Sequence, residues 1–110
     1  MTEQEVFEII IHAGNAKAEA YEALKAAQSG EFIKAAEAFE RAEKELNLAH
    51  RVQTETIQQE AAGVKSEVTL LMVHAQDHLM SAITEKNLIV GMVELHKTIR
   101  QLAAKQGCAL

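Results

Sequence analysis

The chain has 110 residues and a formal net charge of −5, with no proline, a single cysteine and few aromatics. That length suits one domain, residues 1–110, and the acidic balance excludes a nucleic-acid partner, which calls for a basic stripe. No lysine or arginine cluster suits an anionic membrane surface, no apolar run approaches the roughly 20 residues that span a bilayer, and the acidic start Met1–Glu5 is unlike a secretory signal. The lone Cys108 excludes an internal disulfide and points to the reducing cytoplasm; so close to the C-terminus, it is expected in a frayed tail.

Alanine, glutamate, lysine, glutamine and leucine dominate, so the composition favours helix throughout. A first helix is expected over Glu3–Gln28, where Val6, Ile9, Ile10, Ala13, Ala16, Ala20, Leu24 and Ala27 keep the i, i+3, i+4 rhythm. Thr2 is its N-cap, with Glu5 at capping-box spacing, and Ser29-Gly30 its stop. Gly14 lies mid-helix at a cost of up to about 1 kcal/mol, which either marks a close helix contact or is simply tolerated.

A second helix is expected over Glu31–Ala61. Phe32, Ala35, Ala36, Phe39, Ala42, Leu46, Ala49, Gln53 and Ile57 trace one stripe, apolar except at Gln53. Gly63 closes it, and Ser66 is the expected N-cap of a third helix over Glu67–Lys105, about 60 Å long if unbroken. The third helix carries Val68, Leu71, Met72, Ala75, Leu79, Ala82, Ile83, Ile89, Met92, Val93, His96 and Ile99. A second apolar surface follows from Leu70, Val73, Met80, Leu88, Val90 and Leu95, more than one bundle of three helices buries. An all-α, antiparallel three-helix bundle that packs its third helix against further copies is therefore expected. The Gly14–His50 stretch has the texture of a tetratricopeptide hairpin or of a microtubule-interacting three-helix module. A solenoid, however, needs about three copies and there is one.

Chemistry concentrates in Val73-His74-Ala75-Gln76-Asp77-His78-Leu79-Met80. On a helix His74 and His78 are i,i+4 neighbours with Asp77 beside them, inside an apolar stretch where unpaired polar groups are costly. A half-buried structural role is the plain reading. A zinc protease needs glutamate directly after the first histidine, where Ala75 stands, and there is no evident third ligand. A di-iron site needs Glu-x-x-His pairs, and Glu94-Leu95-His96 has the wrong spacing. Phosphoryl carriage fits: a neutral imidazole is nucleophilic near pH 7, and a neighbouring imidazole or amide positions the phosphoryl oxygens. His74 would be the nucleophile, with His78 or Gln76 as donor. Gln76 points about 200° around the helix from His74, so it suits a neighbouring subunit's site. His50 reads as solvated or as a hydrogen-bonded structural residue, with lining of the interface or the active cleft as the alternative, and His12 and His96 read as structural or exposed.

The eight-residue run resembles the active-site motif of the lactose/cellobiose family of enzyme IIA components of the bacterial sugar phosphotransferase system. His12-Ala13-Gly14-Asn15-Ala16-Lys17, Tyr21-Glu22-Ala23-Leu24-Lys25-Ala26-Ala27 leading to Gly30-Glu31-Phe32, and Ala49-His50-Arg51-Val52-Gln53-Thr54 are similar to further family segments. The resemblance implies a homotrimer of three-helix bundles and phosphorylation of His74 by the histidine-containing phosphocarrier protein. It implies transfer to a cysteine of enzyme IIB, then through membrane enzyme IIC to a lactose-, cellobiose- or chitobiose-type sugar. It also implies that His78 and Gln76 lie in the cleft between subunits, and that Asp77 from three subunits holds one structural divalent cation, usually magnesium. Three such carboxylates repel by about 4 kcal/mol per pair at 4 Å and an effective dielectric near 20, a penalty that a hard cation removes. Lys17-Ala18 departs from the Arg-Ser of many relatives, and the tail Lys105–Leu110 matches nothing in the pattern. A non-enzymatic helical scaffold for a partner peptide is the competing reading.

Overall fold

Helix α1 spans Glu3–Gln28 in the computed structural model, which describes residues 1–107; Cys108 and the expectation of a frayed tail lie outside the described residues. The Thr2 side chain accepts a hydrogen bond from the Glu5 backbone N–H at 3.1 Å, satisfying one free donor of the first turn. At the other end the Glu31 N–H reaches back to the Ala26 carbonyl at 2.9 Å and the Gly30 N–H to Ala27 at 3.0 Å. Gly30 takes φ +77° to close this Schellman turn.

Helix α2 spans Phe32–Ala61, with Glu31 as its N-cap rather than its first residue. It ends on the same device. Val64 bonds back to Gln59, and Gly63 takes φ +94°.

Helix α3 spans Leu70–Lys105. It starts later than the expected Glu67 because Thr69, not Ser66, is the cap: the Thr69 hydroxyl accepts from the Met72 N–H at 3.1 Å. Ser66 is instead taken up by the N-terminal ammonium of Met1, which donates to its hydroxyl at 3.4 Å. Val68 therefore precedes the helix and is exposed.

Cross-helix ties give the topology. His12 meets Glu45 and Glu19 meets Arg41, with numbers running in opposite senses, so α1 and α2 are antiparallel. Tyr21 bonds Glu85 and Arg100 bonds the Gln28 carbonyl, with numbers rising together, so α1 and α3 run the same way. The up-down-up bundle measures 62 × 21 × 20 Å, and α1 packs along both partners while α2 and α3 touch least.

The core is thin because alanine fills it. One cluster gathers Val6, Ile9, Ala13, Leu46, Ala75 and Leu79 with neighbouring alanines; a second gathers Ala20, Ala23, Ala27, Ala35, Ile89 and Val93. Ile9 and Leu79 are the largest fully buried side chains among the described residues. The buried stripe of α2 departs from expectation: Ala36 and Ile57 are exposed, while Ala38 and Thr56 are buried in their place. Thr56 sits there at little cost because its hydroxyl donates to the Val52 carbonyl one turn back. On α3, Met92 and Ile99, expected to face inward, are exposed.

Candidate active site

Around α3, each residue turns the side chain by about 100°. Ala75, Leu79, Ala82, Ile89 and Val93 are buried and mark the face toward α1 and α2. The outward face carries Leu70, Val73, Asp77, Met80, Thr84, Leu88, Leu95 and Leu102, all exposed. Its large apolar members are 50% to 86% exposed, which makes a continuous wet seam along the helix. Val90, expected on this second surface, is exposed but turned toward the Gln76 flank.

His74 and His78 occupy one flank between these faces. His74 is exposed and His78 partly buried. Their rings stack with planes 7° apart and centroids 6.0 Å apart, as i,i+4 spacing demands. Gly14 of α1 lies beside His78: a Cβ built there would stand 3.5 Å from its Nε2, an ordinary contact distance. Burial holds the His78 pKa below the ordinary imidazole value, reinforced by the Lys17 and His74 charges and opposed by Asp77 and Glu85.

Two turns beyond His78, on the same stripe, stands Glu85. It accepts from Lys17 Nζ at 3.0 Å and from the Tyr21 hydroxyl at 2.8 Å, which ties α1 to the histidine flank of α3. Those bonds, Lys17 first and Tyr21 second, hold the Glu85 carboxyl below the usual carboxylate value and raise the Tyr21 phenol in turn. An open depression of about 500 Å³ lies here, lined by Lys17, Met80, Ser81, Thr84 and Glu85. Sequence reasoning missed this network. Its signal was the i,i+4 pair Lys17/Tyr21 and the i,i+7 pair His78/Glu85, which only the fold brings together.

Gln76 does not join the histidines within the protomer. It lies on the opposite flank, where Gln53 of α2 donates its amide to Gln76 Oε1. Asp77 is exposed on the seam and enters none of the ion pairs found among the described residues. Among those residues no group of three or more His, Cys, Asp or Glu side chains in one protomer is placed to hold a metal. His50 is exposed beside Ile83 and Asn87, away from His74. His12 is partly buried with its Nδ1 2.5 Å from Glu45, and His96 is partly buried too.

The arrangement displays one accessible imidazole, backed by a second, on the edge of an unpartnered helical seam. The chain belongs to the family described as the PTS system, lactose/cellobiose-specific IIA subunit, whose pattern matches residues 4–97. It is 50% identical over 99 residues to the lichenan-specific phosphotransferase enzyme IIA component of Bacillus subtilis, covering 90% of each chain. It is 41% identical over 98 residues to the N,N'-diacetylchitobiose-specific EIIA component of Escherichia coli K12, covering 89% of this chain and 84% of that one. Among solved structures, the cellobiose-specific enzyme IIA of Bacillus anthracis superposes with a TM-score of 0.87 at 46% identity, covering 92% of this chain and 94% of that one. The Escherichia coli IIA(chitobiose) of a IIA–HPr complex superposes at 0.78 with 40% identity, covering 89% and 95%. The chain is thus a IIA component of a sugar phosphotransferase system of the lactose/cellobiose family.

Proposed function

We propose that residues 1–110 act as one carrier module in which His74 takes a phosphoryl group from the histidine-containing phosphocarrier protein and passes it to a cysteine of enzyme IIB, for delivery with enzyme IIC to a disaccharide. The observation that carries this reading is the exposure of His74 beside the stacked, partly buried His78. In the first step a ring nitrogen of His74 attacks phosphorus in line. The new N–P bond forms as the donor's N–P bond breaks; His74 gives up the proton of its other ring nitrogen, and the donor imidazole takes one up. In the second step the cysteine thiolate attacks, the S–P bond forms, and His74 leaves as neutral imidazole after protonation. Burial lowers the His78 pKa, and its Nε2 lies beside Gly14 with no Cβ against it, so His78 is taken as the group that hydrogen-bonds the phosphoryl oxygens.

The same reading makes the working unit a homotrimer. The outward seam repeats at alternating three- and four-residue steps through Leu70, Val73, Asp77, Met80 and Thr84, the spacing by which parallel helices supercoil. Packing three copies along it covers the exposed leucines and supplies apolar burial that the alanine-filled core lacks. Asp77, unpaired in one protomer, would then meet its two copies, and the chemistry of that donor set suits one magnesium-like cation. The ion would supply charge neutralisation at the axis and nothing to the transfer itself.

No helix among the described residues is long and apolar enough to cross a membrane; the carrier reading itself puts the site of action in the cytoplasm. The test is incubation with phosphoenolpyruvate, enzyme I and the phosphocarrier. Mass should rise by about 80 Da, the increment of one phosphoryl group. The addition should be acid-labile, lost in His74→Ala and kept in His12→Ala and His50→Ala. No addition with active reagents would leave a scaffold that binds a partner peptide.

A further inference from the structure

Gln53 is the one polar side chain in the expected apolar stripe of α2, and the carrier mechanism gives it no task. It is partly buried between α2 and α3. Its Nε2 donates to Gln76 Oε1 and lies 3.8 Å from the sulfur of Met80. The second contact favours the same direction of the Gln53 amide. A thioether is an acceptor, so it suits an NH2 group and disfavours a carbonyl oxygen at that position. With the Gln53 amine committed inward, the Gln76 oxygen is held inward as well, and the Gln76 NH2 is the end left to face out.

The direction matters because of where Gln76 sits on α3. Counting about 100° per residue, His74 lies roughly 80° to one side of the outward seam and Gln76 roughly 80° to the other. Three copies joined along that seam bring the Gln76 flank of each protomer beside the His74 flank of the next. Rotation about a threefold axis involves no shift along it, so for helices running along the axis the two residues stay within about 3 Å in height, the rise of two residues. An NH2 group aimed across the joint is a donor to phosphoryl oxygens, whereas a carbonyl oxygen aimed there would repel them.

We propose that Gln53 is a positioning residue that locks the Gln76 amide with its NH2 toward the phosphohistidine of the neighbouring subunit. The proposal rests on the carrier and trimer reading above. In the test, the trimer is equilibrated with the phosphorylated phosphocarrier protein and the phosphorylated fraction is read by intact mass, with the phosphorus resonance of the adduct followed by NMR. Gln53→Glu keeps the shape but cannot donate, so Gln76 must turn its oxygen outward. The transfer equilibrium should move roughly ten- to a hundredfold toward the donor, the range of one hydrogen bond to a charged group. The adduct resonance should shift with it. Gln53→Leu, which removes the bond altogether, should move both in the same direction, and adding either change to Gln76→Leu should cost nothing further.

Hybrid trimers of Gln53→Glu protomers with excess His74→Ala protomers should regain the wild-type equilibrium at the remaining His74, because the neighbours there are intact. A wild-type equilibrium in both Gln53 variants, effects that simply add to Gln76→Leu, or hybrids that fail to recover would each overturn the proposal. Absence of phosphoryl uptake by the wild-type protein would instead remove the carrier reading, and the proposal with it.

Discussion

Gly14→Ala separates stability from function at one position. Glycine inside a helix costs about 0.5–1 kcal/mol relative to alanine, chiefly in backbone entropy. The cost is recoverable here, because the added Cβ would meet only His78 Nε2, at an ordinary contact distance of 3.5 Å with no backbone in the way. The variant should therefore gain about 0.5–1 kcal/mol and melt a few degrees higher at fixed protein concentration. The same methyl covers the nitrogen edge that a phosphoryl oxygen must approach to about 2.7–2.9 Å. Losing one hydrogen bond to a charged group, about 1.5–3 kcal/mol, moves the transfer equilibrium roughly ten- to a hundredfold toward the donor. Thermal melts and the phosphorylated fraction, measured on the same samples, give both numbers. A lower melting temperature would mean that Gly14 serves a tight helix contact. Unchanged phosphorylation would mean that His78 Nε2 does not touch the phosphoryl group.

Three further outcomes follow from the packing and the charges. Leu79→Ala empties the largest fully buried position of α3 and should cost about 2–5 kcal/mol in chemical denaturation. Glu85 is depressed in the fold, so its contribution to stability is complete above the unfolded value of 4.5 and is lost as pH falls through the folded value. Tyr21 is raised, so its contribution holds below 10.0 and is lost as pH climbs past it. Melting curves across pH should show both edges softened in Glu85→Gln, and unaltered edges would count against the tie between α1 and α3. Asp77→Asn should lose bound divalent cation by elemental analysis while remaining trimeric in sedimentation, since the mutual repulsion leaves with the charge. Cation content equal to wild type would place the ion elsewhere.

The helices were legible in the chain because their punctuation is local. Thr2, Gly30 and Gly63 act through bonds to residues at most five positions away, and the α1 bounds agree with the reading to the residue. The start of α3 was not legible, since Ser66 and Thr69 are both good caps, and in the fold the Ser66 hydroxyl meets the Met1 ammonium 65 residues away. In α2 the stripe was misread where alanine gives no contrast, at Ala36 against Ala38, and where a threonine hides its hydroxyl in its own helix. The histidine pair was readable from i,i+4 spacing alone. The Lys17–Glu85–Tyr21 network was not, because Glu85 stands more than 60 residues from the other two. Gln53 announced itself as an anomaly, and only its partner gave it a meaning.

The most direct trial is to locate the phosphoryl group itself. Heteronuclear NMR of the protein phosphorylated through the phosphocarrier should show coupling between phosphorus and a ring nitrogen of His74, with the other four imidazoles unmodified. A phosphoryl group on His12, His50, His78 or His96, or a His74 ring whose signals never change, would contradict the account.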